Sequence, residues 1–193
     1  MFRSFFQLVM SWNTNGFDAG FSPNRFRAQP RLIQSISMTT RLPRSGERNG
    51  SDYRFVSRRQ FEAAIRKRQF LEHARILGEW YGTPKSPIER AIRAGRDVLL
   101  GVDIQGARQI RAGRFPTTTI FLLPPSLDTL RRRLKSRGTE SRVQIRSRLR
   151  LARRELREVR RYDYAVINDR LQDAIGLIQA IMKAEKHRVK NER

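Results

Sequence analysis

Cysteine is absent from the chain, which excludes disulfides, thiolate metal sites and cysteine nucleophiles. The two histidines, His73 and His187, show no ligand spacing, so no metal site built from side chains alone is expected. No apolar run approaches the roughly 18 residues of a membrane span. The short apolar patch Phe5-Phe6-Gln7-Leu8-Val9-Met10 is not followed by a small-residue cleavage site, so no signal peptide is expected. Together with the missing cysteines, this makes a cytoplasmic location the expectation. Acidic residues are scarce, 18 against 41 basic ones, and the formal net charge is +23. Such a charge raises the encounter rate with any polyanion. It is spread along the chain rather than gathered in one tail, and no RNA-binding motif accompanies it. The expectation is a basic surface with no specific nucleic-acid partner.

What is present suffices for one domain. The chain has 193 residues, 38% hydrophobic and 31% charged, enough for a core, a well-solvated surface and a small inserted subdomain. Residues 1–30 are turn-rich and sustain no helical or strand period. Beyond them, Leu32 to Ser37 reads as a strand, residues 43–52 as a polar loop and Tyr53 to Val56 as a short strand. Ser57, with Gln60 three residues on, is a capping box that opens a helix with Phe61, Ala64 and Ile65 on one face. Ser86, Pro87 and Glu89 signal a second helix start, and Gly95 a stop. Val98 to Val102 has the pattern of a buried strand, and a short helix then runs to Gly113. Thr117 to Leu123 is a strand stopped by Pro124-Pro125, and Ser126 caps the next helix. From Ser141 to Arg161 a helical stripe carries Ile145, Leu149, Ala152, Leu156 and Val159. Tyr164 to Ile167 is a last strand, and a closing helix carries Leu171, Ala174, Ile175, Ile178, Ile181 and Met182. Strands alternating with helices predict an α/β domain with a mainly parallel sheet, whose ligands sit beyond the carboxyl ends of the strands. Asp103, Asn168 and Asp169 fall at such ends.

The densest polar cluster is Ser37-Met38-Thr39-Thr40-Arg41-Leu42-Pro43-Arg44, followed by Tyr53. Two arginines three apart beside hydroxyls can grip a phosphate, and a tyrosine adds a neutral donor. A basic surface turn has the same composition. The order of motifs is more specific. Ser35-Ile36-Ser37-Met38-Thr39-Thr40-Arg41, Pro43-Arg44, Gly46-Glu47, Asn49-Gly50 and Asp52-Tyr53 resemble the GMP-binding segment of guanylate kinases. Phe70-Leu71-Glu72, Trp80-Tyr81-Gly82-Thr83, Val102-Asp103-Ile104-Gln105-Gly106 and Phe121 to Ser126 are similar to the motifs that follow in that family. So are Arg137-Gly138-Thr139-Glu140-Ser141 and Ala165-Val166-Ile167-Asn168-Asp169. The resemblance runs from about Ser35 to the C-terminus.

The resemblance implies a P-loop nucleoside-monophosphate kinase α/β fold. A guanylate kinase-like domain would span residues 35–193, with an inserted GMP-binding subdomain at 36–92 and a lid at 133–148. Arg41, Arg44, Tyr53 and Tyr81 would hold the GMP phosphate. Ser37, Glu72 and Thr83 would read guanine, and Asp103 would lie near the phosphates or the guanine. Arg133, Arg137 and Arg148 would stabilise the transferring phosphoryl group, and Asn168 would touch adenine. GMP and ATP are the implied partners, Mg2+ would arrive with ATP, and a monomer or homodimer is expected.

Two departures stand against the family pattern. Gly101 occupies the position, two before Asp103, where an acidic residue is usual. Residues 1–34 form an atypical segment with no lysine and no Gly-Lys pair, so the first strand and the P-loop are expected to be missing. Loss of the loop and a shifted reading frame would leave the same mark. A non-catalytic guanylate kinase-like binding or interaction module is the alternative to the enzyme.

Overall fold

The computed structural model describes residues 7–12, 31–113, 117–136 and 141–189. In chain order the elements begin with β1 (Gln7–Trp12), β2 (Leu32–Gln34), β3 (Met38–Thr39), β4 (Arg54–Phe55), α1 (Arg58–Arg66), β5 (Phe70–Ile76) and β6 (Glu79–Pro84). There follow α2 (Lys85–Arg93), β7 (Asp97–Val102), α3 (Ile104–Ala112), β8 (Thr117–Leu123) and α4 (Leu127–Ser136). The chain continues through α5 (Arg142–Glu155), a 3-10 turn at Leu156–Arg161, β9 (Tyr164–Ile167) and α6 (Leu171–Lys186).

Val98, Leu99 and Leu100 are successive buried apolar residues, as a strand covered on both faces requires. Successive side chains point to opposite faces. Val98, Leu100 and Val102 pack with Ile88 and Ala91 of α2 and with Ala107 and Ile110 of α3. Leu99 packs on the other face with Ile120, Leu122, Val166 and the α6 residues Ala174, Ile175, Ile178 and Met182. Among the described residues the sheet is five-stranded, in the order β2-β7-β1-β8-β9, and every pair is parallel.

Two strand expectations are corrected. The first strand is present: Gln7–Trp12 pairs with β7 on one side and β8 on the other, at the centre of the sheet. Val9 joins the α2–α3 face and Met10 the α6 face, both with no exposed surface. A strand covered on both sides carries a short apolar run rather than alternation, which is why Leu8-Val9-Met10 shows no strand period. The residues that follow, 13–30, lie outside the described residues. The expected strand from Leu32 to Ser37 ends at Gln34. Leu32–Gln34 pairs with β7, whereas Met38–Thr39 enters a second sheet of order β4-β3-β6-β5.

That second sheet packs against α1. Phe61 is fully buried and stacks on Phe70 at 4.5 Å and on Trp80 at 5.8 Å between ring centroids. The β5–β6 hairpin has no counterpart among the sequence expectations. Its turn is made by Leu77 and Gly78 with φ of 50° and 97°, the twin positive angles of a tight hairpin turn. In β5 the buried positions are Phe70, Glu72 and Ala74, so a carboxylate interrupts the apolar alternation.

Other boundaries agree closely with the sequence. The boxes Ser57–Gln60 and Ser141–Gln144 cap α1 and α5 with reciprocal hydrogen bonds. Ser126 Oγ accepts from the Thr129 N–H at the start of α4. The long helix expected from Ser141 to Arg161 tightens into the 3-10 turn after Glu155. Asp97 at the start of β7 pairs with Lys186 at the end of α6 at 2.5 Å. No helix among the described residues is long and apolar enough to cross a membrane.

The central placement of β1 has a measurable consequence. Met10→Ala should lower unfolding free energy by about 2–5 kcal/mol, the range for emptying a buried site of this size. Urea titration of the purified chain checks it. A change within about 0.5 kcal/mol, as for a surface residue, would place Met10 outside the core.

Candidate active site

The hairpin brings two polar side chains into register. Glu72 pairs with Thr83 across β5–β6, just after a shift in register between Phe70 and Glu72. Such bulges re-aim a side chain. Thr83 Oγ1 donates to Glu72 Oε1 at 2.6 Å, and the two residues are 0% and 4% exposed. Helix α3 lies against them. Its N-terminus is capped by Asp103, whose Oδ1 accepts from the Gly106 N–H at 2.8 Å. Gln109 fastens α3 to β5: its Nε2 donates to the His73 carbonyl at 2.7 Å and its Oε1 accepts from the His73 N–H at 3.2 Å.

Burial pushes the Glu72 carboxyl up to about 7. The neighbouring Asp103 charge adds to the shift and the Thr83 hydroxyl opposes it. Burial also raises Asp103, against the N–H groups of Gly106 and Gln105 that favour its carboxylate. The two carboxyls therefore share one partly dry corner between β5 and the end of β7.

A second group forms around Arg41. Its Nη2 and Nη1 meet Glu47 Oε1 and Oε2, both at 2.9 Å, in a bidentate pair. Glu47 Oε2 also accepts from the Arg44 backbone N–H at 2.7 Å, so one carboxylate ties both arginines to the same turn. Partial burial works against ionising Glu47, but the hydrogen bonds from Arg41 and Arg44 outweigh it and hold the carboxyl below its ordinary value. The Arg41 guanidinium lies 5.4 Å from the Tyr53 ring centre and 5.7 Å from that of Phe55. Tyr53 and Tyr81 meet edge to face at 6.2 Å. Burial pushes the Tyr53 hydroxyl up to about 12, with Tyr81 adding and Arg41 opposing, so it stays a neutral donor. The preceding turn is locked by its threonines. Thr39 Oγ1 donates to the Trp80 carbonyl at 2.9 Å, and Thr40 Oγ1 donates to Glu79 Oε2 at 2.6 Å.

The remaining expected residues lie elsewhere. Ser37 is buried where the chain passes from β2 to β3, and its carbonyl accepts from the Arg54 N–H at 2.8 Å. Arg133 on α4 donates from Nη1 and Nη2 to the carbonyls of Asn168 and Asp169, each at 2.8 Å, and so clamps the end of β9. The Asn168 N–H donates to the Leu123 carbonyl at 2.7 Å. Arg148 is half-buried on α5, and Arg137 falls outside the described residues. A cleft of 390 Å³ between α4 and α5 is lined by Arg131, Lys135, Arg142 and Arg146 over Ile145 and Leu149, and holds none of the expected site residues.

The structure thus gathers Glu72, Thr83 and Asp103 in one group and Arg41, Tyr53 and Tyr81 in another, with the Arg44 backbone joined through Glu47. Three contributors carry no assigned role in the sequence reading: Glu47, Gly106 and Gln109. The signal for Glu47 was its place three residues after Arg44. Gln109 left none, since its partners are backbone atoms of another element.

A parallel sheet in this strand order, with an inserted second sheet that presents a buried carboxylate and an arginine–tyrosine group, defines a nucleoside-monophosphate kinase fold. The guanylate kinase family pattern matches residues 26–185, and the chain belongs to that family. It is 44% identical to a guanylate kinase of Thermus thermophilus over 182 residues, covering 94% of this chain and 83% of the relative. It is 50% identical to one of Lactobacillus delbrueckii subsp. bulgaricus over 151 residues, covering 78% and 74%. The crystal structure of guanylate kinase from Anaplasma phagocytophilum matches with a TM-score of 0.80 at 29% identity, over 97% of this chain and 89% of that one.

The buried carboxyl makes stability depend on pH. Glu72 keeps its proton when folded at pH values where the unfolded chain, near 4.5, has lost it. Stability should therefore fall as pH rises from 4.5 to about 7 and level off above. Relative to Glu72→Gln, the fall should total on the order of 3 kcal/mol. Denaturant melts of both proteins across this range check it, and parallel curves would contradict it.

Proposed function

We propose that the chain binds GMP as a guanylate kinase does, with Glu72 and Thr83 on the base and the Arg41 group on the phosphate. The observation that carries this reading is the buried Glu72–Thr83 pair beside Asp103, on the same hairpin as Tyr81 of the arginine–tyrosine group. Guanine presents two donors along one edge, its N1–H and exocyclic N2–H2, and a carboxylate accepts both. Adenine presents an acceptor at N1, so an ionised Glu72 discriminates against it. Ser37 would supply a further hydroxyl to the base. For the phosphate, Arg41 and Arg44 supply forked donors and Tyr53 and Tyr81 neutral ones. Arg41 already holds a bidentate carboxylate, Glu47, which a phosphate can join or displace.

In the family reaction the ATP γ-phosphoryl group passes to GMP, giving ADP and GDP. Such transfer depends on positioning and charge stabilisation, for which the lid residues Arg133, Arg137 and Arg148 are our candidates. The residues 36–92 would form the GMP-binding subdomain, residues 133–148 the lid, and Asn168 would lie at the adenine. Magnesium would come with ATP. Among the described residues no three His, Cys, Asp or Glu side chains gather into a metal site, and Gly101 adds no carboxylate beside Asp103. These residues do not fit a protein-held ion, and none is assigned to it.

The sequence lacks a Gly-Lys pair anywhere. A P-loop supplies the N–H cradle for ATP phosphates, a lysine across them and a hydroxyl for magnesium. Without one we infer that the chain binds GMP but does not turn it over at a useful rate. That absence also favours the second reading, a non-catalytic GMP-binding or protein-interaction module. A cytoplasmic location fits either.

Titration calorimetry should show GMP binding at least tenfold tighter than AMP at pH 8, a difference of about 1.4 kcal/mol. Equal affinities would defeat the assignment of Glu72. The preference should also depend on pH. With the Glu72 carboxyl near 7 in the free protein, lowering pH below that value protonates it, so the GMP-to-AMP ratio should shrink up to tenfold per unit. Both nucleotides carry the same phosphate, so its own titration cancels in the ratio. A ratio constant from pH 5 to 8 would exclude Glu72 from base reading.

A coupled assay of ADP release with GMP and Mg-ATP should give no turnover approaching the roughly 1–100 s⁻¹ typical of kinases. Turnover in that range would mean that residues 13–30 hold a phosphate-binding loop of another sequence.

A further inference from the structure

We propose that Gly106 is the positioning residue for Glu72 and so a determinant of base specificity, an inference that rests on Glu72 reading the guanine edge. The first turn of α3 approaches the Glu72 carboxyl too closely for any side chain. A Cβ built on Gly106 would lie 2.4 Å from Glu72 Oε2, 2.9 Å from its Cδ and 3.1 Å from Val102 Cβ. The first two distances are shorter than van der Waals contact permits.

Neither side of this contact has room to give. Glu72 Oε1 is held by the Thr83 hydroxyl at 2.6 Å, and the residue is 4% exposed. Helix α3 cannot withdraw without breaking the two hydrogen bonds between Gln109 and the His73 backbone. The Gly106 N–H is itself engaged by Asp103 Oδ1. The carboxyl therefore stands between two walls, a hydroxyl on one oxygen and the bare Cα of a helix turn against the other.

Gly106 has no helical need to be glycine. In a helix alanine normally replaces glycine with a gain in stability. Gly176 on α6 shows the contrast, since nothing lies within 4 Å of a Cβ built there. A side chain at position 106 has to rotate the Glu72 carboxyl off its present line, while leaving Arg41, Tyr53 and Tyr81 untouched.

The test uses the full chain and four variants, Gly106→Ala, Gly106→Ala with Glu72→Asp, Glu72→Asp alone and Gly176→Ala, titrated with GMP and with AMP at pH 8. The expected result is a loss of at least tenfold in GMP affinity for Gly106→Ala, with AMP affinity kept within threefold, so that the ratio collapses. Aspartate withdraws the carboxyl by one methylene, so the double variant should regain part of the ratio relative to Gly106→Ala. Gly176→Ala should match the parent. A GMP preference kept intact by Gly106→Ala, or an equal loss for both nucleotides without rescue, would overturn the inference and leave the role of Glu72 standing. A parent chain that binds both nucleotides equally would overturn the Glu72 reading, and the specificity role of Gly106 with it. If Gly106→Ala does not fold, recovery of folding and of GMP preference in the double variant supports the steric account. Failure of both variants to fold would assign Gly106 to general packing instead.

Discussion

A carboxylate held away from water between two layers of structure is the constraint on which the rest of the site depends. Glu72 occupies an inward position of β5 that an apolar residue would fill at no electrostatic cost. Keeping it there requires a donor on the neighbouring strand, supplied by Thr83, and a helix packed close enough to exclude solvent, supplied by α3. Close packing in turn requires Gln109 to fasten the helix and a residue without a side chain where the helix passes the carboxyl. The bulge before Glu72, the aromatic stack of Phe61 on Phe70 and Trp80, and the tight turn at Leu77-Gly78 all hold the hairpin that carries it.

The second group obeys the opposite logic. Arg41 is a cation in a strongly cationic chain, and it is ordered by an internal anion rather than left to solvent. Glu47 aligns the guanidinium plane and fixes the Arg44 backbone in the same turn, so the fork is held in one orientation. Preorganised donors lose less freedom on binding. The nearby Tyr53 remains protonated and adds a donor without adding charge.

Local chemistry was legible in the sequence where one segment decides its own fate. Ser57 with Gln60 announced a helix start because the cap and its partner lie within one turn. Thr117–Leu123 and Tyr164–Ile167 read as strands because β-branched and apolar residues run between clear stops. The hairpin did not, because Glu72 breaks the alternation that marks a strand and is compensated only by a residue on the next strand. The split after Gln34 was hidden for a similar reason: Leu32 and Met38 pair with different sheets, and nothing between them says so locally. The motif residues of the site could be recognised in a row, but their supports, Glu47, Gly106 and Gln109, act across elements.

The position of β1 bears on how the chain reaches its native state. Gln7 pairs with Val98 and Thr117, so the middle of the sheet is contributed by an early segment whose two neighbours are synthesised much later. Contacts so distant along the chain must overcome loop-closure entropy before they reward it, which slows assembly. During synthesis the emerging strand has no edge to join until β7 and β8 have left the ribosome, whereas the α1–β5–β6 unit can form from neighbouring residues alone. The parallel sheet is therefore continuous only once β1 lies between β7 and β8.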